Sequence, residues 1–240
     1  MPAVLVHGVP DTHRLWDPLR AQLRRRDVMT LSLPGFAAPM PAGFAATKED
    51  YVEWLIRELL CVGEPVDLVG HDWGAMLALR AVSLRPDLIR TWACGSGIID
   101  TEYTWHDVAQ QWQTPGVGEQ IMELVTPETM EAGFAAAGVP AAAARAAAQH
   151  IDATMKDCIL RLYRSAVHVG AEWQPALEKV ERPGLVLWGK DDPYAAPHLA
   201  ERLAARVRAT LIVFEGCGHW WPVERPAETA VALERFWATL

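Results

Sequence analysis

The segment Gly70–Gly74, with the sequence GHDWG, constrains the fold of this chain more than any other stretch. Residues 66–69 before it, with the sequence VDLV, predict a buried strand, and residues 75–81 after it predict a helix. Small residues at both ends of so short a connection indicate a tight turn, in which a side chain would collide with its neighbours. A strand, a turn and a helix around a central polar residue are typical of a nucleophile elbow, which holds that residue in a strained backbone conformation. The alternative is that Asp72 only caps the helix.

An aspartate in the nucleophile position determines which bonds can be attacked. At its usual pKa of about 3.9 the carboxyl group of Asp72 is ionised at neutral pH, so it needs no base to become a nucleophile. Attack on an epoxide carbon or on a carbon–halogen bond gives a stable alkyl ester, whereas attack on an ester or amide carbonyl gives a high-energy mixed anhydride. The alkyl ester must then be cleaved by water, which requires a general base and hydrogen-bond donors for the carbonyl oxygen.

Two residues near the carboxyl-terminal end can complete a catalytic triad with Asp72. His219 lies in a loop that glycine and proline keep out of regular structure, just after a predicted strand. Asp192 follows another predicted strand and can orient the histidine, with Asp191 as its competitor. The order nucleophile, acid, histidine is one in which such triads occur. The alternatives are a loop histidine bonded to the main chain and a turn aspartate before Pro193.

The loop after the first predicted strand, His7–Pro10, can supply main-chain donors. In an elbow of this kind, an N–H from such a loop joins the N–H of the residue after the nucleophile in an oxyanion hole. These donors are expected to be Val9 and Trp73. We expect His7 to fix the loop and not to act in catalysis.

These segments together resemble the epoxide hydrolase and haloalkane dehalogenase branch of the α/β-hydrolase fold. The resemblance rests on His7–Pro10, Gly70–Gly74, Trp188–Gly189 with Asp192, and Gly218–His219, which occur in the family's order and at similar spacing. It implies a two-step reaction through an alkyl ester of the nucleophilic aspartate. It also implies a helical cap inserted into the core and covering the site.

The expected fold class is α/β, with a mostly parallel sheet, helices on both faces and the inserted helical cap. We expect the core to comprise residues 1–97 and 181–240 and the cap to comprise residues 98–180. The family usually has further strands before the first loop, so we expect either a sheet smaller by those strands or a sequence that begins late. Strands are predicted near residues 2–7, 28–32, 66–70, 90–96, 184–189 and 209–214, and core helices near residues 15–26, 47–62, 73–85, 197–208 and 224–239.

Within the predicted cap, Leu160–Arg164 resembles the epoxide hydrolase motif whose tyrosine binds the epoxide oxygen. The resemblance implies that Tyr163 is the ring-opening acid, because a phenol can donate a proton to a developing alkoxide. Its alternative role is a helix tyrosine packed on its neighbours. Where the family has a second cap tyrosine this chain has Val108, and Tyr103 or His106 could replace the missing donor or could be rim residues.

Haloalkane dehalogenation is the alternative reaction. Dehalogenases of this branch often bind halide with an asparagine where this chain has Val9, whereas Trp73 matches a halide-binding tryptophan that epoxide hydrolases share. The segment Thr104–Asp107, which contains Trp105, resembles the start of a dehalogenase cap. Tyr103, Trp105 and His106 are therefore candidate substrate-binding residues. A further alternative is a non-catalytic ligand receptor of the same fold.

Composition favours a small, uncharged, hydrophobic substrate. The formal net charge of -8 argues against nucleic acid and against acidic ligands, and eleven tryptophans suit an apolar pocket. Trp73 also occupies the place at which related fluoroacetate dehalogenases carry a carboxylate-binding arginine. The basic run Arg24–Arg26 is expected near a helix end, facing solvent.

The remaining predictions concern location and cofactors. The sequence has neither a membrane-spanning apolar run nor a signal-peptide pattern, so we expect a cytoplasmic protein that is a monomer or a homodimer and does not bind membranes. The four scattered cysteines predict free, buried thiols. Metal-ligand spacing and phosphate-binding glycine loops are not evident, so no cofactor and no metal are expected.

Overall fold

The computed structural model describes residues 1–239 and contains one parallel sheet of six strands among them. The strand order β2-β1-β3-β4-β5-β6 and the uniformly parallel pairing confirm the predicted α/β class. The strands are β1 Ala3–Val6, β2 Val28–Leu31, β3 Val66–His71, β4 Ile89–Gly95, β5 Gly184–Gly189 and β6 Thr210–Phe214.

Strands β1, β3 and β5 are buried along their whole length, as expected for a parallel sheet covered by helices on both faces. From β1 the chain runs outward to β2, then returns past β1 to β3 and continues in the other direction. Such a reversal opens a crevice at the carboxyl ends of the two strands, which is where open α/β sheets place their ligands. The loop His7–Pro10 and Asp72 leave β1 and β3 at this point.

Twelve α-helices occur in the described part of the chain. Those around the sheet are α1 Asp17–Gln22, α2 Lys48–Val62, α3 Trp73–Leu84, α10 Pro197–Val207, α11 Trp221–Glu224 and α12 Pro226–Ala238. The six between β4 and β5 are α4 Asp107–Gln113, α5 Val117–Leu124, α6 Pro127–Ala136, α7 Ala141–Ala148, α8 Ala153–Ser165 and α9 Val169–Leu177. We call residues 98–180, which hold these six helices, the inserted segment.

One predicted helix is shorter in the structure. The helix predicted over 15–26 is a 3-10 turn at His13–Trp16 followed by α1, and it ends because Leu23 takes an extended conformation. The helix predicted over 224–239 corresponds to α12. Pro226 starts α12, where its ring is tolerated, but it cannot continue the preceding turn because it lacks an N–H.

The prediction that Arg24–Arg26 faces solvent at a helix end is wrong for Arg25. Its Nη1 donates to Oδ2 of the buried Asp67 at 2.8 Å, and its guanidinium lies 4.6 Å from the centre of the Trp237 ring. Asp67 lies in β3 at the middle of the sheet and also accepts from Arg90, because a buried carboxylate needs cationic partners. Arg25 therefore stabilises the core.

All four cysteines are free, as predicted, but Cys61 is exposed, so the expectation of buried thiols is wrong there. Burial raises the pKa of Cys217 to about 12, which keeps this neighbour of His219 in its unreactive thiol form. Among residues 1–239, each helix is too short or too polar to span a bilayer.

Candidate active site

Asp72 occupies the turn between β3 and α3 with a backbone φ of 52° and ψ of -123°. This conformation is rare for a residue with a Cβ and is the strain that the elbow pattern predicts. Glycines make the turn possible, since a Cβ on Gly70 would overlap the main chain of Gly74, and one on Gly74 would overlap the carbonyl oxygens of Val6 and His7. The side chain of Asp72 does not cap α3, so the capping alternative is excluded.

The carboxylate of Asp72 is held by the loop after β1. The N–H of Val9 donates to Asp72 Oδ1 at 2.8 Å, and the side chain lies where a Cβ on Gly8 would be. Trp73 begins α3, and the first N–H groups of a helix have no partner within it. The Val9 donor predicted from the sequence is therefore in contact with one carboxylate oxygen, and within residues 1–239 the other oxygen, Oδ2, accepts no hydrogen bond from the main chain.

His7 fixes this loop, as expected. Its Nε2 accepts the N–H of Leu33 at 3.0 Å, so Nδ1 carries the proton and donates to the carbonyl oxygen of Gly8 at 2.7 Å. Burial lowers the pKa of His7 to about 4, so the ring is neutral and both nitrogens are used for structure.

Asp192, and not Asp191, pairs with His219. The Nδ1 of His219 donates to Asp192 Oδ2 at 2.9 Å, while Asp191 is exposed. Asp192 Oδ1 accepts the N–H groups of Tyr194 at 2.9 Å and Ala195 at 3.1 Å, which fixes the carboxylate. The other ring nitrogen of His219, Nε2, is 3.6 Å from Asp72 Oδ2. The three residues proposed as a triad are thus brought together in the expected order.

The main chain of His219 is also held. Its carbonyl oxygen accepts from His71 Nε2 at 2.9 Å and from Ser96 Oγ at 3.2 Å. Burial lowers the pKa of His71 to about 4, so this histidine acts as a neutral donor. Sequence reasoning assigned no role to His71 or Ser96, which hold the main chain of His219 in place.

Burial and neighbouring charges have opposing effects on the pKa values of His219 and Asp72. Burial alone disfavours the imidazolium, but the carboxylates of Asp192 and Asp72 outweigh it and raise the pKa of His219 to about 10. Burial also disfavours the carboxylate of Asp72, yet the hydrogen bond and charge of His219 lower the pKa of Asp72 below its usual value. At neutral pH the site therefore rests as an ionised Asp72 beside a charged His219.

A cavity of about 260 Å³ opens in front of Asp72 and His219. All three candidate residues from the start of the inserted segment line it, as does Tyr163. The rest of the lining is mostly apolar. Its apolar residues from the inserted segment include Val108, Ile121, Val125, Met130 and Phe134. The shape and chemistry suit a small molecule with one polar end.

Tyr163 is enclosed by aromatic rings. Trp73, Trp105 and Trp112 pack edge-on against it, with ring centroids 5.5, 5.3 and 4.9 Å away. Burial, together with the charge of Asp72, raises the pKa of Tyr163 well above its usual value. The residue is packed, as the alternative role required, but it also lines the cavity as a neutral phenol.

The three other candidates from the inserted segment have different partners. Trp105 stacks on Trp73 at 5.9 Å and donates from Nε1 to the carbonyl oxygen of Ala166 at 3.3 Å. Tyr103 donates its hydroxyl to the carbonyl oxygen of Tyr194 at 3.3 Å. His106 starts α4, and its Nδ1 accepts the N–H of Ala109 at 3.3 Å.

Asp11 and Tyr194 were missed by sequence reasoning. Asp11 is 4% exposed and its Oδ2 accepts Trp220 Nε1 at 2.9 Å. Burial raises the pKa of Asp11 to about 7. The sequence signal that could have identified Asp11 is its position directly after Pro10, at the end of the loop predicted to supply main-chain donors. Tyr194 lies two residues after Asp192 and packs edge-on against His219 at 5.1 Å.

The sequence model of the alpha/beta hydrolase family matches residues 3–232. The chain belongs to this family. A similar curated protein is the (E)-2-((N-methylformamido)methylene)succinate hydrolase of Acinetobacter baylyi, 23% identical over 99% of this chain and 90% of that protein. The chain is thus a hydrolase of the α/β fold.

Solved structures also resemble the chain closely in fold. The haloalkane dehalogenase DbeA from Bradyrhizobium elkani USDA94 has a TM-score of 0.80 at 19% identity, over 100% of this chain and 91% of that one. An E-2-(acetamidomethylene)succinate hydrolase has a TM-score of 0.74 at 18% identity, over 98% and 90%. Two different reactions on one fold mean that this chain's reaction must be argued from its own site.

Proposed function

We propose that this hydrolase is an epoxide hydrolase, which converts a small, uncharged, hydrophobic epoxide to a diol through an alkyl ester of Asp72. The observation that carries the proposal is an aspartate at the elbow, with Oδ1 on the N–H of Val9 and Oδ2 facing His219, in a cavity that Tyr163 also lines. In this proposal residues 1–97 and 181–240 form the catalytic core, and residues 98–180 form a cap.

In the first step Asp72 Oδ2 attacks a ring carbon of the epoxide. The new carbon–oxygen bond forms as the ring bond breaks, and the phenol of Tyr163 gives its proton to the departing oxygen. The raised pKa of Tyr163 does not prevent this transfer, because the alkoxide is a stronger base than the phenolate. It ensures instead that the phenol is protonated when the substrate arrives.

His106 is the second donor to the departing oxygen in this proposal, in place of the tyrosine that Val108 replaces. Burial lowers the pKa of His106, so the ring is neutral at pH 7. Since Nδ1 accepts the N–H of Ala109, the ring proton lies on Nε2, which has no partner among residues 1–239. Tyr103 suits this role less well because its hydroxyl already donates to Tyr194.

In the second step His219 activates water. Alkylation removes the negative charge of Asp72, so the pKa of His219 falls and its proton moves to the Tyr163 phenolate. Neutral His219 then takes a proton from water as the water oxygen bonds to Cγ of Asp72, and the N–H groups of Val9 and Trp73 stabilise the oxyanion. Collapse breaks the ester bond, the diol oxygen takes the proton from His219, and the new carboxylic acid of Asp72 returns a proton to His219.

Haloalkane dehalogenation is the second candidate, and one observation favours it. The indole N–H groups of Trp73 and Trp112 are buried without a partner among residues 1–239, and both rings contact Tyr163. Two such donors could bind a departing halide. The neutral donors of Tyr163 and His106 favour an oxygen leaving group, and Val9 offers no side-chain donor.

The test is a paired assay of aryl and alkyl epoxides against short bromoalkanes, with mass spectrometry of the His219→Gln variant. We expect diol formation by the native protein and a covalent adduct on Asp72 in the variant, because alkylation needs no base whereas hydrolysis does. Asp191→Asn, a change at the exposed neighbour of Asp192, is the control and should behave as the native protein. Halide release from bromoalkanes without diol formation from epoxides would make dehalogenation the first candidate. A His219→Gln variant that forms no adduct with either epoxides or bromoalkanes contradicts the covalent mechanism. A ligand receptor would keep its biological effect in Asp72→Ala.

A further inference from the structure

A second, much smaller cavity lies beside the main one. Phe134 and Trp220 line both cavities, and their rings meet edge to face at 5.4 Å. These two side chains therefore form the partition between the cavities. Phe134 belongs to α6 of the inserted segment, and Trp220 directly follows His219.

The second cavity has the size and polarity of a water site. Its free volume of about 10 Å³ is close to the minimum that holds one water molecule. Asp11 and Arg14 supply its polar lining, and the rest is apolar. The apolar walls are Leu15, Val139, Ala143, Ala146, Ala147 and Val223.

Asp11 joins this cavity to the catalytic histidine. Its Oδ2 accepts the indole N–H of Trp220, which leaves Oδ1 as an acceptor for another donor. The ring of Trp220 packs edge-on against His219, with centroids 4.8 Å apart and an interplanar angle of 74°. A water bound to Asp11 is thus separated from the general base by the width of one indole ring.

The proposed reaction needs a water that can reach His219 while the substrate occupies the main cavity. The ester on Asp72 places the body of the substrate in the main cavity, whose lining is mostly apolar and offers few partners to a water. The small cavity lies on the opposite side of Trp220, where the substrate does not reach. Water can therefore be retained there while the main cavity is occupied.

We propose that the cavity lined by Asp11 and Arg14 is a water site, from which a water passes the edge of Trp220 to His219 and cleaves the ester. The inference rests on the proposed two-step function. It assigns Asp11 to binding water and to holding Trp220, and it makes the partition of Phe134 and Trp220 the route between the two cavities.

The test fills the site and times the two steps separately. Ala146→Leu places a larger side chain in the small cavity from a half-buried position on α7, and Ala142→Leu makes the same change on the exposed face of that helix. Rapid quenching with mass spectrometry of Asp72 gives the rate of ester formation and the rate of ester hydrolysis. In Ala146→Leu we expect hydrolysis to slow by about tenfold, since the water must come from the filled main cavity, and alkylation to change by less than about twofold. Ala142→Leu should change neither rate.

A second variant covers the case in which Ala146→Leu fails to fold. Ala143→Leu fills the same cavity from the preceding turn of α7 and should give the same selective loss. If both variants fold and hydrolyse the ester as fast as the native protein, the water site is overturned but the proposed function is not. The same conclusion follows if ester formation and ester hydrolysis slow equally. The absence of any ester, in the native protein and in His219→Gln, overturns the proposed function and the water site with it.

Discussion

The two halves of the cavity differ in how they handle charge. The half contributed by the core presents Asp72 and a charged His219. Behind them, the buried carboxylates of Asp192 and Asp11 accept hydrogen bonds from His219 and Trp220. The half contributed by the inserted segment presents neutral groups, among them the phenol of Tyr163. In the proposed mechanism the core half therefore supplies the nucleophile and the base, and the inserted half shapes the substrate and supplies neutral proton donors.

The largest expected effect is on the core side, at the nucleophile. Asp72→Ala should lower the rate of epoxide opening by about 10⁴-fold or more, because without its carboxylate no ester can form. Steady-state diol formation measures this loss, and Asp191→Ala, at an exposed position, should retain the native rate. If the Asp72→Ala variant keeps more than a few per cent of native activity, the core half does not supply the nucleophile, and the proposed contrast between the two halves is wrong.

The core half was also the half that the sequence predicted well. Gly70–Gly74 lies between two strongly patterned elements, so the strain at Asp72 follows from local geometry, and the parallel sheet then brings His219 and Asp192 to the same edge. The expected sheet, its strand positions and the inserted helices follow from the same apolar patterns.

What the sequence could not predict depends on contacts between distant residues. Asp11 meets Trp220, 209 positions away, and Arg25 meets Asp67, 42 positions away. No local pattern records such pairs, so the sequence did not predict the buried carboxylate of Asp11 and assigned the half-buried Arg25 to solvent. In the inserted half, the position of Tyr163 depends on packing against rings from α3, from α4 and from the loop before α4. Periodicity predicts the helices but not these contacts.

The next effect in size is on the inserted side. Tyr163→Phe should lower kcat for epoxides by about 10²- to 10³-fold, because general acid catalysis of ring opening is lost, while the packing of the ring is retained. The same variant assayed with a bromoalkane is its own control, since a departing halide needs no proton. Equal losses on both substrates would mean that Tyr163 acts only by shaping the cavity.

Asp11 gives a smaller effect, and it appears in stability. Burial raises the folded-state pKa of Asp11 from its usual 3.8 to about 7, so its favourable contribution is complete below pH 3.8 and is lost as the pH rises toward 7. Asp11→Asn keeps an acceptor for Trp220 but cannot ionise. Between pH 5 and pH 8 the native protein should therefore lose about 2 kcal/mol of unfolding free energy relative to the variant. Urea unfolding at both pH values measures the unfolding free energies of the native protein and the variant. If these two free energies change equally with pH, Asp11 keeps an ordinary pKa.

The smallest effect is expected at His106, which shares the departing oxygen with the stronger donor Tyr163. His106→Asn should lower kcat for epoxides by about tenfold, the size expected for one lost neutral hydrogen bond to a developing charge. Asparagine is a good helix N-cap, so α4 should remain intact and the midpoint of thermal unfolding should not change. Tyr103→Phe is the matched comparison on the same wall and should leave kcat within about twofold of the native value, because its hydroxyl donates to the main chain. If Tyr103→Phe lowers kcat more than His106→Asn does, the second proton donor of the inserted half is Tyr103. The hydrogen bond from Ala109 to His106 would then serve only to cap α4.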